Sequence, residues 1–199
     1  MTLDQYRDVA DRLLAPWVRA ATAVGATPNA VSVAAFGLAI AAGAAFWVAT
    51  PLAYAAGALL VFLNGWFDVL DGALARELGT DSEAGDMLDH VLDRYADVVV
   101  VSGLAAGLDQ FGLGLAAVTG VLLTSYLGTQ AQAVGLDRVY GGLLGRADRL
   151  ALVGATTAVT ALVPTVAGYS PVAALLVVFA VVGHLTAVQR FVSAWRQLA

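Results

Sequence analysis

Residues 68–93 read DVLDGALARELGTDSEAGDMLDHVLD, and two pairs of aspartates in this stretch stand at helical spacing. Asp68 and Asp71 are three residues apart, and Asp89 and Asp93 are four apart. Residues at these spacings are neighbours on one face of an α-helix. Two such faces brought together form an all-oxygen cage, which suits a hard divalent cation such as Mg²⁺ or Mn²⁺. The spacing therefore predicts a cation site between two helices.

The composition places this site in a membrane. Of the 199 residues 60% are hydrophobic, and the mean hydropathy of +0.80 lies far outside the range of soluble proteins. Six apolar stretches are long enough to cross a bilayer, which takes about 20 residues each. They are residues 29–50, 52–75, 86–108, 111–134, 148–167 and 170–191. We expect an all-α integral membrane bundle of six transmembrane helices, with the lipid bilayer as a partner and no nucleic acid.

The arginines predict the orientation of the bundle. Nine of the ten lie at the N-terminus, in the loop between spans 2 and 3, in the loop between spans 4 and 5, or at the C-terminus. The other three turns carry none. By the positive-inside rule, both termini and the aspartate motif face the cytoplasm of a cell-membrane protein.

Residues 2–20 combine an apolar stripe at helical spacing with charged residues. The pattern is typical of an amphipathic helix lying in the cytoplasmic interface of the membrane, although a short soluble helix would also show it. Pro16 is expected to kink or end this helix. We therefore divide the chain into an interfacial helix, residues 1–20, and a six-helix transmembrane domain, residues 21–199.

The aspartate stretch resembles the signature of the CDP-alcohol phosphotransferase (phosphatidyltransferase) family of membrane enzymes. The pattern is D-x2-D-G-x2-A-R-x8-G-x3-D-x3-D, and all its fixed positions are present at the family's spacings. They are Asp68, Asp71, Gly72, Ala75, Arg76, Gly85, Asp89 and Asp93. The segment Thr27-Pro28-Asn29, before the first span, is also similar to the family. The resemblance implies an enzyme that displaces CMP from a CDP-linked lipid with an alcohol, and it suggests a homodimer.

The same resemblance implies roles for the aspartates. Asp68, Asp71 and Asp89 are expected to bind the metal ion, Mg²⁺ or Mn²⁺, which neutralises the pyrophosphate and activates CMP as a leaving group. Asp93 is the candidate base that takes the proton from the acceptor hydroxyl. Asp93 can instead bind a metal ion itself, and the sequence does not separate these two roles.

Five residues are expected to bind the CDP-lipid. Gly72 and Ala75 have no bulk and leave room for the cytidine. Arg76 offers a planar fork to a phosphate or to an aspartate partner. Gly85 is expected to let the chain turn tightly into span 3. Asn29 either hydrogen-bonds the nucleotide or caps the first spanning helix.

A buried salt-bridge network is the structural alternative for the aspartates. Arg76 and Arg94 are the cations near them in the sequence, too few for all the aspartates of spans 2 and 3. Asp86 and Asp97 are expected to have supporting roles, such as pairing with Arg94. His90 is offset from the acidic stripe and is expected to be packed or solvated rather than a ligand.

Arg146 and Arg149 are three residues apart at the start of span 5, and two guanidinium groups on one helix face suit a phosphate. Positive-inside topology alone could also place an arginine there. The segment from Ser125 to Arg149 is similar to the inositol-phosphate-using branch of the family, the archaetidyl and phosphatidylinositol phosphate synthases. It departs from that branch at residues 129–132, TQAQ, where basic and acidic residues are usual, so that Arg138 is a further candidate ligand. The resemblance favours inositol phosphate as acceptor and leaves glycerol phosphate open, with serine third.

A six-span ion transporter is the alternative from another class, with the aspartates as its transport site. A transporter would distribute acids through the membrane depth, whereas these cluster in the cytoplasmic third. The absence of lysine and the net charge of −5 suggest a high-salt organism, and codon bias would also explain the missing lysine. The donor is therefore CDP-archaeol or CDP-diacylglycerol.

Overall fold

The computed structural model describes residues 7–137 and 143–198, with side chains from residue 13 onward. The described residues form seven α-helices, which confirms the all-α prediction. The helices are α1 (Arg7–Ala23), α2 (Pro28–Val48), α3 (Pro51–Leu78), α4 (Glu83–Ala106), α5 (Phe111–Ala133), α6 (Arg146–Leu162) and α7 (Pro171–Leu198). Helices α2 to α7 coincide, within a few residues at most ends, with the six apolar stretches of the sequence.

Local chemistry sets several helix ends. The Thr27 hydroxyl accepts a hydrogen bond from the Ala30 amide, so Thr27 is the N-cap of α2 and the expectation that Asn29 caps this helix is wrong. Helix α3 ends at Gly79, whose φ of 60° is the left-handed conformation that glycine adopts without strain. Pro16 lies inside α1, which continues to Ala23, so the proline does not end that helix.

Four helices in the described part of the chain are both long and apolar enough to cross a membrane: α2, α3, α5 and α7. Helices α4 and α6 are not among these four, since α6 has only 17 residues and α4 carries the charged aspartates of the motif. The architecture is that of a multi-pass membrane protein.

Small residues bring the helices together. Helix α2 packs against both α3 and α4, α5 packs against α7, and α6 packs against α3. A Cβ on Gly103 would collide with the backbone oxygen of Gly43, so α4 and α2 touch backbone to backbone. Gly120 and Gly183 bring α5 and α7 together in the same way. Because α2 contacts both motif helices, it holds α3 and α4 in the register that brings their aspartates together.

Helix α1 packs on the end of α3 that carries the motif. Leu14 and Val18 are buried in a cluster with Leu70 and Leu74 of α3 and Val31 of α2. Other apolar side chains of α1, including Leu13 and Trp17, remain exposed. One face of α1 is therefore fixed to the bundle, and another apolar surface is open to its surroundings.

Candidate active site

Three aspartates from two helices converge. One carboxylate oxygen each from Asp68 on α3 and from Asp89 and Asp93 on α4 lies within 4.8 Å of the others, and all three residues are half-buried. The donor set is all oxygen and carries three carboxylates, which fits a hard divalent cation. The structure thus brings together three of the four aspartates that the sequence predicts as metal ligands.

Asp71 is placed differently from the other three. It is buried, and its Oδ2 accepts a hydrogen bond from the Ser32 hydroxyl of α2 at 2.6 Å. It lies outside the group of three converging aspartates. Sequence reasoning missed Ser32, although a hydroxyl one helical turn after Pro28 in an apolar helix was a possible signal.

Arg146, the first residue of α6, bridges two members of the cluster. Its Nη1 lies 2.5 Å from Asp68 Oδ2, and its Nη2 lies 2.6 Å from Asp93 Oδ1. The start of α6 is fixed by Asp148, whose carboxylate accepts a hydrogen bond from the Gly145 amide at 2.9 Å. One planar guanidinium thus joins the aspartates of α3 and α4 through α6.

Arg149 lies one turn further along α6 and is buried in an ion pair with Asp97, at 2.9 Å. Arg94 lies 3.8 Å from the same Asp97 carboxylate oxygen and 3.5 Å from Asp93. The expected pairing of Asp97 with Arg94 is present, and Arg149 makes the shorter contact. The expectation that Arg76 and Arg94 are the only cations near the aspartates is wrong, because α6 adds Arg146 and Arg149, and salt bridges do link Asp68, Asp93 and Asp97 to arginines.

The residues predicted to bind the nucleotide lie at the ends of α2, α3 and α4. A Cβ on Gly85 would lie 3.6 Å from Asn29 Oδ1, so these two residues are neighbours. A Cβ on Gly72 would lie 3.4 Å from Arg76 Nη1, and the Arg76 residue is exposed. Ala75, which lies between Gly72 and Arg76 in the sequence, is half-buried. The site therefore has an open rim of small residues.

The role expected of Gly85 in a tight turn is wrong. Gly85 lies in the first turn of α4, where its amide donates to the hydroxyl of the N-cap residue Ser82 at 3.1 Å. A side chain at this position would crowd Ser82, because a Cβ would lie 3.2 Å from its hydroxyl oxygen. The glycine keeps the helix terminus uncrowded rather than bending the chain.

A large groove opens from the cluster. It has a volume of about 830 Å³ and runs between α1, α3 and α6. Asp68, Asp93 and Arg146 line it, and its other walls are apolar and rich in small residues. Those small residues are Ala58, Gly65, Ala147, Ala151, Gly154, Ala155 and Ala158. We call this space the α3–α6 groove; it offers charge at one end and an apolar trough along the rest.

The segment predicted to bind the acceptor is only partly described. Ser125, Tyr126 and Thr129 of α5 face His90 and Arg94 of α4 across a second cavity of about 510 Å³. Arg138 lies outside the described residues. The two arginines of α6 reach the aspartates rather than this cavity.

Fold and site together define a class, a multi-pass membrane enzyme whose carboxylate metal site opens onto an apolar groove. A family model described as CDP-alcohol phosphatidyltransferase matches residues 25–195. The chain is 30% identical over 201 residues to the archaetidylinositol phosphate synthase of Methanothermobacter thermautotrophicus, covering 98% of this chain and 95% of that protein. The chain belongs to the CDP-alcohol phosphatidyltransferase family and is a transferase.

Two crystal structures of the phosphatidylinositol phosphate synthase of Mycobacterium tuberculosis share this fold. One has CDP-DAG bound; it matches with a TM-score of 0.79 and 31% identity, over 92% of this chain and 94% of that chain. The other is a complex with manganese and citrate; it matches with a TM-score of 0.79 and 30% identity, over 92% and 88% of the two chains.

Proposed function

We propose that the protein transfers a phosphatidyl or archaetidyl group from a CDP-linked lipid to a phosphorylated alcohol, preferably inositol phosphate, and releases CMP. The observation that carries the proposal is the position of the three converging aspartates at the charged end of the apolar α3–α6 groove. A CDP-lipid likewise joins a charged group, the pyrophosphate, to apolar hydrocarbon chains, and so matches a groove that is charged at one end and apolar along the rest. The relatives that make inositol-phosphate lipids support the choice of acceptor.

Asp68 and Asp89 are proposed to hold the divalent metal, Mg²⁺ or Mn²⁺. When bound, the metal supplies positive charge to the pyrophosphate and stabilises departing CMP. The hydroxyl of Ser32 orients the Asp71 carboxylate from α2. Asp71 is proposed to complete the metal site. The hydrogen bond from Ser32 is proposed to hold the Asp71 carboxylate in one orientation, as outer partners of metal ligands do.

Asp93 is proposed as the base that accepts the proton of the acceptor hydroxyl. It lies on the groove wall beside Arg146, whose guanidinium holds its Oδ1 at 2.6 Å. The other carboxylate oxygen, Oδ2, lies 3.5 Å from Arg94 Nη2 and is proposed to accept the proton of the incoming hydroxyl, which attacks phosphorus opposite the CMP leaving group. If Asp93 also binds the metal, its replacement will weaken metal affinity as well as turnover.

Arg146 and Arg149 are proposed to bind the phosphate of the acceptor. Arg146 is the better placed of the two, since it lines the groove with Asp68 and Asp93. Arg149 is buried against Asp97 and contributes positive charge behind Arg146. Arg138 remains a candidate third ligand. Glycerol phosphate is the alternative acceptor, because residues 129–132 lack the basic and acidic residues usual in the inositol-phosphate branch.

The nucleotide is proposed to bind at the rim formed by the ends of α2, α3 and α4. Gly72 and Ala75 let the cytidine approach the backbone of α3. Asn29 and Gly85 meet on the α2 and α4 side, where the amide of Asn29 can hydrogen-bond the base or ribose. Arg76 is exposed on the rim and offers its guanidinium to the pyrophosphate.

Six spans are proposed for the cell-membrane protein, with α4 and α6 crossing beside the four more apolar helices. The motif and both termini then face the cytoplasm, in accord with the arginine distribution. Of the predicted interfacial helix, residues 1–20, the first six lie outside the described residues; the rest is proposed to lie in the membrane interface, with the exposed Leu13 and Trp17 against lipid. The remainder, residues 21–199, forms the transmembrane domain and assembles as a homodimer.

An acceptor panel tests the function. Purified protein with Mg²⁺ and radiolabelled CDP-lipid is given inositol phosphate, glycerol phosphate, serine or free inositol. We expect transfer to inositol phosphate first, and we expect Arg146→Ala to raise the KM for that acceptor about tenfold or more, as for a lost charged hydrogen bond. Arg146→Lys should rescue only in part, because ammonium does not reproduce the planar fork. Efficient transfer to free inositol, indifferent to Arg146→Ala, would contradict the proposal.

A further inference from the structure

A small cavity lined by both polar and apolar side chains lies between α2, α3 and α4, beside the aspartate cluster. Its volume is about 10 Å³, at the lower limit for one water molecule. Asp68, Asp89 and Asp93 line it, together with Ser32 and Asn64. The three aspartates that form the candidate metal site therefore share a second, enclosed space with an uncharged amide.

Asn64 is a buried side chain with one unsatisfied atom. It is 2% exposed, and its Nδ2 donates a hydrogen bond to the Ala35 carbonyl of α2 at 2.9 Å. A backbone carbonyl can only accept, so the amide nitrogen must face Ala35, and Oδ1 is turned away from it. Among the described residues Oδ1 has no hydrogen-bond partner. An unsatisfied buried acceptor destabilises the fold, and lipid offers no water to replace the missing donor.

The position of Asn64 relates this oxygen to the metal site. Asn64 precedes Asp68 by four residues on α3, so both side chains lie on the same helix face, with Asn64 one turn nearer the middle of the helix. Ser32 is not its donor, since the serine hydroxyl is engaged by Asp71. The cavity it shares with the three aspartates has room for a single small molecule.

We propose that Asn64 belongs to the cation site, with its Oδ1 accepting a hydrogen bond from a water molecule that the divalent ion carries into the small cavity. This inference rests on the proposed metal-dependent function. Mg²⁺ sheds its water reluctantly and keeps several waters in protein sites, and these waters need acceptors on the protein. An amide oxygen accepts without adding a further negative charge to the cluster. Asn64 is thus a positioning residue, which acts on the metal through its water.

Manganese titration followed by electron paramagnetic resonance tests the proposal in the full-length protein in detergent. Asn64→Leu removes the acceptor at similar volume and is expected to weaken Mn²⁺ binding about tenfold or more, the usual effect of losing an outer partner. Asn64→Asp also loses the bond to Ala35 but keeps an oxygen acceptor, so it should bind Mn²⁺ at least as tightly as the parent. Thr186→Val is the matched control, since Thr186 is another fully buried side chain whose oxygen has no partner among the described residues, on α7. It should leave Mn²⁺ affinity unchanged.

The outcomes separate the explanations. Equal weakening in Asn64→Leu and Asn64→Asp would show that the amide only fastens α2 to α3, and would overturn the proposal. Parent-like Mn²⁺ affinity in Asn64→Leu, or equal weakening by Thr186→Val, would overturn it too. Failure of the parent to bind Mn²⁺ at all would instead overturn the metal site itself, and with it the proposed function.

Discussion

Arg149 places its Nη2 2.9 Å from Asp97 Oδ2, and this contact fastens α6 to α4 inside the bundle. Both side chains are almost fully buried, at 6% and 5% exposure. Arg94 approaches the same carboxylate only to 3.8 Å. Arg149 depends on this contact, because without Asp97 its charge would be buried and uncompensated, whereas Asp97 without Arg149 would still have Arg94 nearby.

The first prediction concerns this pair. Asp97→Leu is expected to lower the free energy of unfolding by about 3–5 kcal/mol, the usual effect of removing one partner of a buried pair. The double variant Asp97→Leu/Arg149→Leu should recover most of that loss, since no unpaired charge remains. Thermal unfolding in detergent measures both. A double variant no more stable than Asp97→Leu alone would contradict the prediction, because the unpaired Arg149 charge would then not be the cause of the loss.

The second prediction concerns the metal ligands. Asp68→Asn and Asp89→Asn should each reduce turnover at least about a hundredfold, on the order of 3 kcal/mol in the activation barrier. Chelator should abolish transfer, and Mg²⁺ or Mn²⁺ should restore it. Asp86→Asn is the control, because Asp86 is exposed on α4 outside the converging group. Full activity in excess chelator would contradict the metal assignment.

The third prediction separates the two roles of Asp93. If Asp93 is the base, Asp93→Asn should lose turnover while retaining CDP-lipid binding and Mn²⁺ affinity, since the base acts on the acceptor. Transfer assays and Mn²⁺ titration on the same preparation give both quantities. Weakened Mn²⁺ binding in this variant would make Asp93 a metal ligand.

The fourth prediction concerns the contact between α2 and α4. Gly103→Ala should destabilise the fold by about 1–3 kcal/mol, because the added methyl group meets the backbone of Gly43. Gly37→Ala is the matched control in α2, where a Cβ would have nothing within 4 Å. That variant should be neutral or more stable, as alanine is the better helix former. Equal thermal stability of the two variants would argue against the close contact.

The helices and the convergence of Asp68, Asp89 and Asp93 could be predicted because their signals are local. Apolar length marks the helices, and residues such as Gly79 mark their ends. The i,i+3 and i,i+4 spacings place the aspartates of each helix on one face, and these faces form a site once α3 and α4 face one another. The partners of the aspartates depend instead on tertiary packing. Ser32 reaches Asp71 because α2 lies against α3, and Arg146 reaches Asp68 across 78 positions of sequence because α6 packs on α3.

The last prediction uses the α3–α6 groove to test how the donor lipid binds. Ala158 lies twelve residues after Arg146 on α6, which at 1.5 Å per residue places it about 18 Å along the groove from the charged end. Ala158→Phe should block the groove at that point and raise the KM for a long-chain CDP-lipid about tenfold. A short-chain donor, whose hydrocarbon chains end before they reach residue 158, should keep nearly the same KM. Val159→Phe is the matched control, since Val159 is the next residue along but lines a separate cavity between α6 and α7. Transfer assays with both donors measure the four KM values. Equal effects of the two substitutions, or loss of chain-length dependence, would show that the hydrocarbon chains do not lie in this groove.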